Sequence, residues 1–303
     1  MTATMTLTPV APPASSAAGD PVDTASMSLR TGDGHMLSAR AYEPRTPPRR
    51  AVLLAPAMGV LQRFYEPLAC WLAAQGVAVM TFDFRGQGES APPSLRGFKA
   101  SITEWATQDL PAAADALCMR WPDLPRTFLG HSLGGQIFGW LEGHERFERV
   151  VTVASGNGHW RYNAPRMKHK AWALWWLLAP VGIALAGYFP GKRLGAIGDL
   201  PAGVMWQWRR WCLHRDYLGA EGAALRLRYA QVRTPIRAVV LEDDELLSPD
   251  GIRRLYRLYA CAPVQFESLR PEAFGQRFIG HFGVFKPWAA AALWPRLLHW
   301  IEG

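Results

Sequence analysis

Apolar and polar positions along the chain follow two alternating periods. Short apolar runs suited to strands covered on both faces occur at Arg50–Ala55, Val77–Phe82, 126–130, 150–154, Ile236–Leu241 and Val264–Leu269. Residues 64–74, 103–119, 133–141, 249–259 and 285–301 carry the three-to-four spacing of helices, with Ser101 or Thr103 as the cap of the second. Ahead of them, residues 26–30 and 35–42 flank Thr31-Gly32-Asp33-Gly34, which reads as a β-hairpin with a glycine turn. Strands alternating with helices predict an α/β fold: a mostly parallel eight-stranded sheet with helices on both faces. Residues 26–157 and 229–303 form this domain, and 158–228 interrupt it.

Outside those periods, residues 1–25 are rich in Thr, Ala, Pro and Ser and read as a disordered tail. Pro9, Pro12 and Pro13 break the apolar stretch that a secretory signal needs. Cys70, Cys118, Cys212 and Cys261 lie far apart, without metal-ligand spacing, and read as free thiols of a reducing cytoplasm. No metal or organic cofactor is expected.

One junction between strand and helix carries candidate chemistry. Gly130-His131-Ser132-Leu133-Gly134 lies where the run 126–130 passes into the helical segment. A tight turn there strains the serine backbone and exposes Oγ above the sheet edge, and flanking side chains would collide with their neighbours. A serine hydroxyl needs a base, and the base an orienting acid; at such a turn the chain order is Ser, acid, His. Asp243 and Asp244 follow the strand Ile236–Leu241. Asp244, leading an apolar pair and a turn, is preferred, with Asp243 as its hydrogen-bonding or solvated neighbour. Of the histidines after that acid, His299 falls inside the closing helix, so His281 in Gly280-His281-Phe282-Gly283 is the candidate base. An oxyanion needs backbone N–H donors. Leu133 supplies one; the other comes from Pro56-Ala57-Met58-Gly59, where proline has no N–H and Met58 is favoured over Ala57.

These residues resemble the α/β-hydrolase superfamily, especially its lysophospholipase, monoglyceride-lipase and serine-aminopeptidase-like branch. Asp83-Phe84-Arg85-Gly86-Gln87-Gly88-Glu89-Ser90 is similar to that branch's Asp-x-Arg-Gly-x-Gly-x-Ser loop, and Gly-His-Ser-x-Gly-Gly to its nucleophile turn. Gly-His-Phe-Gly resembles its histidine loop. Many relatives have His-Gly where this chain has Pro56-Ala57. The resemblance implies hydrolysis of acyl esters by Ser132, Asp244 and His281, lipophilic or lysophospholipid-like substrates, and a cap inserted after the strand 150–154. Acyl transfer or thioester cleavage by the same triad is the alternative. A non-catalytic, ligand-binding member of the fold is the rival from another class.

Charge changes the picture of the insertion. The net +8 sits wholly in residues 159–228, which hold eleven Lys or Arg against three acids. Half of the fourteen tryptophans lie there too. Residues 171–190 carry no charge and are long enough to span a membrane. A crossing there would split Ser132 from Asp244 and His281, so two short helices are expected instead, broken at Pro180, Gly182 and Gly187. The insertion therefore reads as a lid lining a small-molecule acyl pocket, with Trp160 and Trp206 as substrate contacts. Its cations and tryptophans also suit peripheral contact with an anionic membrane. Nothing suggests a nucleic-acid reader.

Overall fold

A computed structural model describes residues 22–195 and 197–303. Residues 1–21 of the expected tail lie outside the described residues. Residues 22–25 do not belong to a tail, because they open strand β1 (Val22–Arg30) and pair from Val22↔Pro44 onward. β1 hairpins with β2 (Met36–Pro44), and then come β3 (Arg50–Ala55), β4 (Val77–Phe82), β5 (Arg126–His131), β6 (Arg149–Val153), β7 (Ile236–Leu241) and β8 (Val264–Leu269). They form one eight-stranded sheet in the order β1-β2-β4-β3-β5-β6-β7-β8. β1 and β2 are antiparallel; from β4 to β8 every pair is parallel.

Period-two alternation divides each central strand between two cores. In β3, Val52 and Leu54 join Leu129, Val151 and Val239 on the face covered by the helices Glu66–Ala74 and Leu293–Glu302. Ala51 and Leu53 turn the other way, toward Phe128, Val150 and the helix Leu110–Arg120. Both faces are dry, which is why these strands read as unbroken apolar runs rather than as alternating ones. The closing helix starts at Leu293 rather than near 285. Lys286 is extended before Pro287, and a residue preceding proline is driven out of the helical region.

Between β6 and β7 the chain leaves the sheet as a run of helices. Ala171, Leu174, Trp175, Ala179 and Ile183 bury one face of the first of them in the same core as the sheet. Two separate helices were expected here; instead Pro165–Ala173 passes through a wide π-turn, Leu174–Leu178, straight into Ala179–Ala186. The π-turn gives the Pro180 ring room that an α-helical ladder would deny it. Trp105–Asp109 does the same ahead of Pro111. Gly187, at φ 78°, ends the run with a left-handed cap. Among the described residues no helix is long and apolar enough to cross a membrane.

Candidate active site

Ser132 follows β5 directly and caps the short helix Leu133–Gln136. Its backbone lies at φ 49°, ψ −116°, a conformation that a serine holds only where its surroundings enforce it. They do so here: the Ser132 amide donates to the Val153 carbonyl at 2.9 Å, and the Gly135 and Gln136 amides donate back to the Ser132 carbonyl. A side chain on Gly134 would overlap the Ala55 carbonyl, and one on Gly130 would overlap the backbone of Gly135. The glycines are thus what lets the turn sit against β3. Ser132 itself stays partly exposed.

The loop after β7 holds the histidine loop, whose His281 carbonyl meets His131 beside this turn. Asp244 Oδ1 accepts the amides of Leu246 and Leu247 at 2.7 and 3.0 Å, which aims Oδ2 at His281. His281 Nδ1 donates to that Oδ2 at 2.7 Å, with both side chains buried. Asp244, and not Asp243, is the acid in contact with the imidazole. Asp243 is not merely solvated: its Oδ2 accepts the amides of Ile279 and Gly280 at 2.7 and 3.1 Å. Glu245 Oε2 accepts the His281 amide at 2.8 Å. Three consecutive acids therefore grip three consecutive residues of the histidine loop. Burial opposes charge on His281, but Asp244 and then Glu245 outweigh it and leave its pKa raised.

His131 was read only as part of the turn motif, and its real place is more specific. Its Nε2 lies 3.0 Å from the His281 carbonyl, which can only accept, so Nε2 carries the proton. Nδ1 therefore accepts from the Tyr65 hydroxyl at 2.8 Å, and that hydroxyl accepts the Ala57 amide at 2.9 Å. Burial and then the proximity of His281 push the His131 pKa well below its usual value, so the ring is neutral. Its centroid stands 5.1 Å from that of His281 and 4.4 Å from that of Phe285. One neutral, buried chain of bonds thus joins the loop after β3, the residue before Ser132 and the histidine loop.

That chain also separates the amides that are taken from those that are not. The Ala57 amide is taken by Tyr65, whereas those of Met58 and Leu133 have no acceptor among the described residues. Met58 and Leu133 are both buried. Segment 197–201 of the insertion lies over this loop, with Gly198 against Gly59 and Pro201 against Gly86. The two tryptophans expected to contact substrate sit differently. Trp160 is half-buried against the core, while Trp206 is 40% exposed with Arg209 over its ring.

The loop that resembles Asp-x-Arg-Gly-x-Gly-x-Ser is a brace. Asp83 accepts the amides of Gln62 and Glu89, Ser90 Oγ donates to the Asp83 carbonyl, and buried Arg85 bridges Asp109 and Asp33. Gly88 approaches the Asp83 carboxylate so closely that no side chain fits.

Comparison with known proteins agrees with this architecture. A family model described as serine aminopeptidase, S33, matches residues 46–185. An esterase of Pyrococcus furiosus superposes with a TM-score of 0.61 at 14% identity, covering 97% of each chain. The chain has the α/β-hydrolase fold. Monoglyceride lipase of Homo sapiens is 26% identical to it over 133 residues, which are 43% of this chain and 39% of the lipase. An uncharacterized abhydrolase domain-containing protein of Dictyostelium discoideum is 34% identical over 107 residues, 35% of this chain and 11% of that one. The chain thus spans under half the length of either curated relative.

Among the described residues, no group of three or more His, Cys, Asp or Glu side chains could hold a metal ion. Tyr65, His131 and Glu245 are the site residues that motif reading passed over. Their signals were faint: an aromatic within a helical period, a histidine inside a motif, and a third acid after Asp244.

Proposed function

We propose that this protein cleaves carboxylic esters with lipophilic acyl groups through an acyl-enzyme on Ser132. The observation that carries the reading is the 2.7 Å bond from His281 Nδ1 to Asp244, on a loop tied to the strained turn at Ser132. With Nδ1 so engaged, the other ring nitrogen is the base. Ser132 Oγ attacks the ester carbonyl while its proton passes to His281 Nε2. The C–O π pair moves onto oxygen, where the amides of Met58 and Leu133 hold the oxyanion. Collapse breaks the ester bond, and His281 returns the proton to the departing alkoxide. Water, deprotonated by His281, then attacks the acyl-enzyme and frees the carboxylic acid and Ser132.

The insertion supports a lipophilic substrate met at a surface. The helical run 165–186 buries Ala171, Trp175, Ala179 and Ile183 yet turns Trp172 (64% exposed), Trp176, Leu177, Val181 and Leu185 (75%) outward. Arg166, Lys168, Lys170, Lys192 and Arg193 flank that outer face, exposed and without ion-pair partners among the described residues. Each cation near an anionic bilayer contributes about 1 kcal/mol of attraction, and the apolar side chains add burial. The insertion then serves as a lid that also rests on lipid.

A fluorophosphonate probe is expected to label wild-type protein and to miss Ser132→Ala. On p-nitrophenyl esters of graded chain length the variant's kcat should fall by roughly a millionfold, the scale for losing a triad nucleophile. Retained labelling or turnover in Ser132→Ala would sink the assignment.

A further inference from the structure

At the seam between the insertion and the sheet domain lies a hollow of about 300 Å³. Four arginines line it: Arg215 and Arg226 from the insertion, Arg254 and Arg257 from the segment after β7. A single acid, Asp216, lines it with them. Like charges around one small volume repel, and arginine cannot relieve this by losing a proton.

Two of the four are held in place. Arg226 donates to Asp216 at 2.8 Å and lies across Gly219, where a Cβ would sit 2.9 Å from its Nη2. Arg254 donates to Asp250 at 2.7 Å and stacks 4.2 Å from the Tyr162 ring centroid. The other two are less satisfied. Arg215 reaches Asp216 only at 3.8 Å, and Arg257 has no ion pair among the described residues. Two held arginines and two exposed ones thus leave the hollow with surplus positive charge.

A second observation marks the same place. Among the described residues, three besides glycine have left-handed φ values: Ser132, Ala154 and Tyr217, the last at φ 51°. Tyr217 lines the hollow, and its hydroxyl donates to Gln136 Oε1 at 2.8 Å. Gln136 ends the short helix that begins after Ser132. Backbone strain of this kind concentrates where a ligand or a reaction uses it. The hollow is therefore one side chain away from the helix behind the nucleophile.

We propose that this hollow binds a phosphate-bearing anion. Phosphate offers the charge and the paired oxygens that planar guanidinium groups recognise two at a time. About 300 Å³ is the small end of ligand pockets, enough for a phosphate with a short substituent and not for an acyl chain. Because its walls come from both the insertion and the sheet domain, the bound anion would pin one to the other. The phosphate belongs either to the leaving group of an ester or to a separate small molecule.

The test titrates inorganic pyrophosphate into the full-length protein by calorimetry, with acetate as the monoanion control. Arg254→Gln/Arg257→Gln is the variant, since it leaves the Arg226–Asp216 pair intact. Saturable pyrophosphate binding by wild type, weakened at least tenfold in the variant, is expected. Hydrolysis of p-nitrophenyl butyrate should stay within twofold, showing that the variant is folded. Two further arms assign the source. A tenfold rise in KM for a phosphate-bearing monoacyl ester, but not for its neutral counterpart, points to the leaving group. A pyrophosphate effect on neutral-ester turnover in wild type alone points to a separate molecule. Absence of saturable binding, or equal affinity in the variant, would overturn the proposal. Binding needs no turnover, so its failure is distinguishable from failure of the ester-hydrolysis reading.

Discussion

His281 is gripped at its ring by Asp244, at its amide by Glu245 and at its carbonyl by His131. Two of these partners are carboxylates, and they decide its protonation as well as its position. In the proposed mechanism the imidazole must be neutral to accept a proton from Ser132, so a raised pKa places the acid limb of kcat/KM above the ordinary histidine value. Glu245→Gln keeps an oxygen for the His281 amide but removes a negative charge. Its acid limb should shift to lower pH in a pH–rate series with an uncharged ester. A limb that stays put would deny Glu245 any electrostatic part. In the run Asp243-Asp244-Glu245 the sequence favoured Asp244 and offered Asp243 as a hydrogen-bonding or solvated neighbour, but gave Glu245 no task. Which carboxylate meets the ring depends on a turn closed by the Leu246 and Leu247 amides, and residue types alone do not fix that geometry.

At the scale of elements, the strands were the most readable part, because burial on both faces leaves only apolar residues to choose from. Helix ends were less so. The proline rules correctly mark Pro180 and Pro287 as difficult for a helix, but a wide turn absorbed the first and a break answered the second. Choosing between those outcomes depends on packing: Trp175 and Ala179 are buried on the sheet core, which rewards keeping the run continuous. The turn at Ser132 shows how tightly elements can interlock. Gly134→Ala would drive a methyl group into the Ala55 carbonyl, displacing the loop that carries Met58. Urea unfolding should show a loss of roughly 1–3 kcal/mol, the usual scale for overpacking a close contact. Unchanged stability would mean that the loop yields freely.

For the whole molecule, the sequence placed the surplus charge and half of the tryptophans in one insertion, and there they remain. What it could not reveal is which of them face outward, since an apolar stretch reads alike whether it meets a core or a bilayer. The outer face of the run 165–186 predicts binding to phosphatidylserine-containing vesicles and little to phosphatidylcholine alone. Trp172→Ala/Leu185→Ser should weaken co-sedimentation with the anionic vesicles while leaving turnover of a soluble ester unaltered. Equal binding to both vesicle types would remove the membrane reading and leave a lid over a pocket. The hollow lined by Arg215 and Arg257 was hidden for a different reason. Its walls are about forty residues apart in the chain, and only the packing of the insertion on the helix after β7 brings them together.

The bond chain through Ala57, Tyr65, His131 and His281 contains no ionised group. Dissolved salt shields exposed charges within about 10 Å at 0.1 M, but it has little purchase on neutral bonds sealed in a core. Ionic strength therefore divides the molecule in two. Raising it loosens whatever the outer cations hold, lipid or phosphate, while the alignment of the histidine loop persists. An ester that needs neither contact would be processed alike in dilute buffer and in brine.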